Sequence, residues 1–347
     1  MTTLPDHVVE LHVDGVAYSG WTSVEIERGI DQMAGSFSLR LASRERTDVP
    51  DWQIRDGAEC RVMLAGKPLI TGYVDSFDRF LAPDDRGIEV RGRDRTADLV
   101  DCSAIHTPGS WAGRKLEQIA AELAGPFGIT VEAGDTGAPF RKFALQQGET
   151  VFAAIERMCR YRGLVAWSAG DGVLRIGNPD QGTSIGKLVE GENVIAATGT
   201  RDVSERYSDY IVKGQASGSD ERSGAAVAQV RGDARDAAIT RYRPMLIIGE
   251  EQADRASLQR RAAWEAAVRS GRGAPAQITI AGWLNAAGEP FQHGMRADCD
   301  VPSAGIKGQL LIERLRFSRD SDGGTTATFD LVPPEAWSQL AEPEPAA

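Results

Sequence analysis

Apolar and polar residues alternate through the N-terminal third of the chain. Val9, Leu11 and Val13 fall on one face of residues 7–13, the period of a half-buried strand. Asp14-Gly15 supplies a turn, and the apolar run resumes from Val16 to Trp21. Val24 and Ile26, then Phe37, Leu39 and Leu41, then Cys60, Val62 and Leu64 repeat the period. Ala65-Gly66-Lys67-Pro68 turns into a longer strand, Leu69 to Phe80, and Pro83 to Gly87 turns again into Gly87 to Gly92. Several short strands separated by turn signals predict an antiparallel barrel or sandwich, so residues 1–104 read as an all-β domain.

From Trp111 the period changes. Leu116, Ile119, Ala120 and Leu123 have helical spacing, and Gly125-Pro126 ends that helix. Short strands follow at Gly128 to Glu132 and Phe140 to Leu145. A second helix runs from about Glu149 to Arg162, with Gly163 as its C-cap. Leu164 to Trp167 and Val173 to Ile176 form a hairpin about Gly170-Asp171-Gly172. Residues 105–180 therefore read as a small α+β domain.

After Pro179 the strand pattern returns at Asn193 to Ala197, Tyr207 to Gln215, Val227, Val230 and Met245 to Ile248, with a mobile loop over 218–224. One helix interrupts it at about 250–269, free of Gly and Pro, with Trp264 and Val268 stacked at i and i+4. Ile278 and Ile280, the strict alternation Met295, Ala297, Cys299 and Val301, Leu311 to Phe317, a turn at 320–324, and Phe329 with Leu331 complete the pattern. Residues 181–335 read as a second β-barrel domain with one inserted helix, and 336–347 as a flexible tail rich in Pro, Glu and Ala. The fold class is mainly β with a smaller α+β part: two antiparallel β-barrel-like domains flanking a small α+β domain.

The stretch Gly92 to Ala104 divides the first two domains. A strand pattern ends there in Gly92-Arg93-Asp94-Arg95-Thr96-Ala97-Asp98-Leu99-Val100-Asp101, where charges and a short apolar pair signal a helical turn or corner. Arg93, Asp94, Arg95, Asp98 and Asp101 read as ion pairs and caps that fix this corner and hold the first barrel to the α+β domain.

Composition changes little in this picture. The chain has 347 residues, 41% apolar and 26% charged, as an ordinary globular protein of two or three domains does. No run approaches the roughly 18 apolar residues of a membrane span, and Met1 to Glu10 lacks a secretory pattern. A chain made, and at first kept, in a cytoplasm is the expectation. Cys60, Cys102, Cys159 and Cys299 are too sparse for a disulfide framework or a metal knuckle. The formal charge of −11 repels a phosphate backbone, which excludes specific nucleic-acid binding but not DNA passing through.

Catalytic constellations are missing. His7, His12, His106 and His293 are scattered, with no pair on one helical face. Cys102 and His106 have no orienting partner, and a structural cysteine beside a loop histidine is the better reading. Asp320-Ser321-Asp322-Gly323 lacks the third ligand and terminal glutamate of a calcium loop. Gly170-Asp171-Gly172 has no phosphate-binding lysine, and there is no Gly-x-Ser-x-Gly elbow. The reading is no enzyme, no cofactor and no metal.

Three segments carry a resemblance. Gly92 to Ser103, Gly148-Glu149-Thr150-Val151-Phe152 through Arg162-Gly163-Leu164, and Gly282-Trp283-Leu284 through Phe329-Asp330-Leu331-Val332-Pro333 resemble the baseplate hub proteins of contractile-tailed phages, closest to the Mu-like hub and late control protein D group. The resemblance makes Gly92, Arg93, Asp94, Arg95, Asp98, Leu99 and Asp101 a structural family motif. It implies a homotrimer whose subunits each give two similar barrels, so that threefold becomes approximate sixfold. Such a ring would join a hexameric tail tube protein to a trimeric central spike protein, contact other baseplate proteins and leave a channel for DNA. It would reside in the virion tail, after assembly in host cytoplasm. Other roles in the same setting are a cell-wall-binding or wall-degrading tail component, or the hub of a related secretion or bacteriocin particle. Trp264 and Trp283 suit either interface anchors or core positions.

Overall fold

The computed structural model describes residues 8–43, 52, 54–82, 86–180, 182–215, 230–252, 255–320 and 323–342. Expectations placed on His7, the turn at 83–85, the loop at 218–224, Val227 and residues 321–322 lie outside the described residues.

The N-terminal alternation becomes seven strands: β1 (Val9–Val13), β2 (Val16–Tyr18), β3 (Ser23–Gly29), β4 (Ser36–Ser43), β5 (Glu59–Leu64), β6 (Lys67–Leu81) and β7 (Arg86–Asp94). The hairpin between β5 and β6 closes on Ala65 and Gly66, both at positive φ (49° and 75°), the two-residue turn whose twist matches its strands. A short helix, α1 (Ala97–Asp101), leads into the middle module. That module contains β8 (Ser110–Trp111), α2 (Leu116–Ala124), β9 (Thr130–Ala133), β10 (Phe143–Ala144), α3 (Val151–Arg162), β11 (Val165–Ser168) and β12 (Val173–Gly177). Thr150 caps α3 by accepting from the Ala153 amide, and Gly163 ends it in the left-handed conformation. The module's apolar core takes in Leu99 of α1 and Met33 of the first lobe.

The rest contains β13 (Ser184–Val189), β14 (Val194–Gly199), β15 (Asp209–Gln215), β16 (Val230–Arg235), β17 (Pro244–Gln252), α4 (Arg255–Arg272), β18 (Ala276–Ala281), β19 (Arg296–Val301), β20 (Ile306–Asp320) and β21 (Gly324–Val332). The mainly-β class with a smaller α+β part holds. Three details differ from the sequence reading. Strands β15, β16 and β17 do not continue the second barrel: they form a separate three-stranded sheet under α4, with a core of Tyr210, Val212, Leu258 and Ala262. The helix begins only at Arg255, because residues up to Gln252 pair in parallel with β15 and their backbone groups belong to that ladder. Of the tail expected to be flexible over 336–347, residues 343–347 lie outside the described residues and 336–342 are held in place. Trp337 donates to Glu313 (3.0 Å), the Trp264 indole to the Ser338 carbonyl (2.8 Å) and the Glu342 amide to the Arg160 carbonyl (2.9 Å).

The two lobes repeat one connectivity. In the first the spatial order is β1-β5-β6-β7-β4-β3, and in the second β13-β19-β20-β21-β18-β14, which is the same order of successive strands. Strands β6 and β20 both have 15 residues, and β7 and β21 both have 9. Register shifts fall at matching places, Val74/Ser76 and Ile312/Arg314. Even the bonds before β5 and β19 recur: Gly57 and Ala58 bracket Val74 as Gly294 and Met295 bracket Ile312. One pairing departs, since β1–β5 is antiparallel and β13–β19 parallel. Strand β3 pairs with β20, so both lobes share one 13-stranded sheet and one continuous apolar core.

Candidate functional site

Three units meet at a buried seam. Its centre is Arg28, 1% exposed, on the same face of β3 as Val24 and Ile26. Its guanidinium donates to the carbonyls of Leu69 (3.2 Å) in the first lobe, Ala169 (2.7 Å) in the middle module and Phe291 (3.1 Å) in the second lobe, and to the Gln292 side chain (3.0 Å). Burial pulls its pKa down to about 10, while Asp94 and Asp171 push the other way; it stays charged at neutral pH. Gly170 lies so close that a Cβ there would come within 1.9 Å of the Leu69 carbonyl oxygen, which only glycine avoids. His293 pairs through Nε2 with the Ser168 carbonyl at 2.9 Å, so Nε2 carries the proton. The sequence reading missed Arg28, although an arginine in phase with two apolar strand residues was the available signal.

The predicted corner residues surround this seam without forming one cluster. Arg93 bonds Asp75 of β6 (2.7 Å) and Asp101 of α1 (2.9 Å). Arg95 pairs with Glu59 and reaches the Gly128 carbonyl (3.4 Å). Leu99 is fully buried in the middle module's core. Asp98 lies in the first turn of α1, its carboxyl held above the usual range by burial and then by Asp101. Gly92 lies where a Cβ would meet Tyr73 O at 2.2 Å, so β6 and β7 approach closely there.

Asp94 is not an ion pair but a buried acceptor. Its Oδ1 receives the Thr96 amide (3.0 Å) and lies 2.7 Å from the Thr96 hydroxyl, which is also 2.9 Å from the Met33 carbonyl. A hydroxyl has one proton to donate, so Asp94 and the Met33 carbonyl share the single Thr96 donor. Burial holds the Asp94 carboxyl above its ordinary range, although the Thr96 amide and hydroxyl pull the other way. The protonated form is favoured in the fold; its contribution is whole below about pH 3.9 and declines as pH rises through the folded pKa. Asp94→Asn should therefore gain on the native chain in urea midpoint between pH 4 and pH 7, and a constant gap would refute the assignment. Asp94→Ala should lose about 1–3 kcal/mol, against at most about 1 kcal/mol for Arg93→Ala at its half-exposed site.

The two tryptophans separate. Trp283 is 0% exposed, its indole donating to Thr326 O (2.8 Å) under the second lobe's sheet, so it is core and no interface anchor. Trp264 is half-buried against the tail, with Arg261 over its ring.

Opposite the apolar core, the shared sheet presents a polar face on which several arginines are paired with acids. Arg316 bonds Glu27 (2.6 Å), Arg314 pairs with Asp31, and Arg91 bonds Glu89 (2.8 Å) and Asp78 (3.2 Å). Among the described residues no group of three or more His, Cys, Asp or Glu is set to hold a metal, and no helix is long and apolar enough to cross a membrane.

Comparison with known proteins follows the chain in three pieces. Residues 8–94 match the model of the Mu phage baseplate assembly protein GpP-like N-terminal domain, 96–178 that of the second domain of gp44-like baseplate hub proteins, and 254–340 that of the GpP fourth domain. The chain is 33% identical over 340 residues to the baseplate hub protein gp44 of Escherichia phage Mu, covering 95% of this chain and 89% of that protein. It is similar to the crystal structure of the 43 kDa tail protein of prophage MuSo2 from Shewanella oneidensis, at 30% identity and TM-score 0.85 over 96% of this chain and all of the other. A tail protein from Neisseria meningitidis shares the fold, at 23% identity and TM-score 0.79 over 98% of this chain and all of the other.

Proposed function

The chain belongs to the family of Mu-like phage baseplate hub proteins, a structural component of the virion tail, and from that premise we propose that it works as a homotrimeric ring of approximate sixfold symmetry. The duplicated lobe carries this reading. Two units of one connectivity per chain give a trimer six similar units, which suits a hexameric tail tube on one side and a trimeric spike on the other. Arg93, Asp94, Arg95, Asp98 and Asp101 fix the corner at which the middle module hangs from the ring, and the contacts of Arg93 and Arg95 across β5, β6 and α1 support that role.

The centre of the ring passes DNA. Affinity for phosphate comes from cations that give up counterions to it. Arg91, Arg314 and Arg316 of the polar face are held by neighbouring carboxylates, and the chain carries −11 overall, so a passing duplex meets little to grip it. Light scattering of the purified chain tests the assembly: a trimer mass is expected, and a monomer at the highest soluble concentration would overturn it.

A further inference from the structure

The junction between the two lobes of one chain is a template for the junction between two chains. Beyond its register shift, β20 offers Arg314 to Arg319 to β3, with Arg316 opposite Glu27 and Leu315 opposite Arg28. Each partner has a counterpart in the other lobe. That of β20 is β6, whose stretch Ser76 to Leu81 pairs with β7 along one edge. The counterpart of β3 is β14, which pairs with β18 along one edge. Among the described residues neither has a strand along its other edge. The chain thus contains the junction once, made, and its two halves once more, unmade.

The equivalence is defined to the residue. Phe77, Val90, Leu39 and Val24 lie in one row across β6, β7, β4 and β3. Leu315, Phe329, Ile278 and Ala197 lie in the matching row across β20, β21, β18 and β14. Phe77 therefore stands for Leu315, and Ala197 for Val24. Counting along each strand, Asp78 stands for Arg316 and Thr200 for Glu27. The β14 ladder runs on in unchanged register past Gly199, with Thr200 and Asp202 donating to Pro275 and Gly273. A pairing edge is therefore formed as far as Asp202.

We propose that Ser76 to Leu81 of one copy pairs antiparallel with Ala197 to Asp202 of a second copy of this chain, Asp78 opposite Thr200. The contact is head-to-tail, and with the threefold rotation of the trimer reading its repetition closes a ring. It rests on the trimer reading above and adds the surface and register. It also explains an exposed apolar residue on one of these edges, Leu81 at 76%, which is brought opposite Ala197. Unpaired strand edges are otherwise a liability that proteins cover or blunt.

Directly opposed antiparallel residues have Cβ atoms about 4.5–5.5 Å apart and Cα atoms within disulfide reach. The full chain carrying Asp78→Cys and Thr200→Cys, with exposed Cys102 replaced by Ser, should run as a covalent trimer on a non-reducing denaturing gel after mild oxidation. Each single-cysteine variant should run as monomer. So should the pair Asp78→Cys with Ala196→Cys, which is about 13 Å out of register. A trimer by light scattering that stays monomeric on the gel, or links only through the shifted pair, overturns the pairing and leaves the trimer standing. A monomer by light scattering overturns both.

Discussion

Replacing Arg28 by Ala should destabilise the chain by about 3–5 kcal/mol. Three carbonyls at the seam, those of Leu69, Ala169 and Phe291, would lose their donor inside a closed interface. Each buried acceptor left unsatisfied costs about 1–3 kcal/mol, partly offset because the guanidinium no longer has to be desolvated. The shape of the unfolding curve matters as much as its midpoint. Arg28 ties the first lobe, the middle module and the second lobe together, so its loss should uncouple them. The native chain should unfold in urea as one transition, and Arg28→Ala should show the middle module leaving first. Arg28→Lys should recover little, because an ammonium lacks the planar fork that reaches two directions at once. A single transition with an unchanged midpoint in Arg28→Ala would sink this account.

Much of the fold was legible because burial on one side of a sheet imposes a period of two. Val9, Leu11 and Val13, or Ala297, Cys299 and Val301, report their strands directly. The middle module was legible for the complementary reason: Thr150 and Gly163 bracket α3 with cap chemistry that sequence displays. The separate sheet of β15 to β17 was not, since the alternation of Tyr210 and Val212 says which face is buried but not against what. The resemblance implied two similar barrels, but the residue pattern did not display their equivalence, for a similar reason. What recurs is strand length, register shift and the bonds at Gly57 and Gly294, while the side chains filling the rows changed from Val24 and Leu39 to Ala197 and Ile278. The seam was least legible, because Arg28 and His293 meet across more than 260 positions and each looks alone like a misplaced polar residue. At the corner, charge was visible but its use was not: Arg93 makes ion pairs, whereas Asp94 is buried and leans on Thr96.

His293 should give the protein an acid-labile seam. It is buried, its pKa is lowered to about 3 by burial first and then by the Arg28 and Arg175 charges, and Ser168 O holds its Nε2 proton. In the unfolded chain an ordinary histidine titrates near pH 6.5. The folded value is thus depressed, so the neutral ring's contribution is whole above about pH 6.5 and is lost as pH falls towards 3, because only the unfolded chain takes up the proton. The slope is about 1.4 kcal/mol per pH unit, which makes roughly 2 kcal/mol between pH 7 and pH 5 from this one group. Carboxylates elsewhere also titrate on the way down, so the informative quantity is a difference. His293→Gln keeps an N–H for the Ser168 carbonyl and cannot titrate, and its urea midpoint should hold between pH 7 and pH 5 while that of the native chain falls. Parallel pH profiles for the two chains would refute the assignment. The loss should begin at the hairpin of β11 and β12, because Ser168 and Ala169 join that turn to His293 and Arg28, and a protonated ring there would face two guanidinium groups with no carboxylate bonded to it.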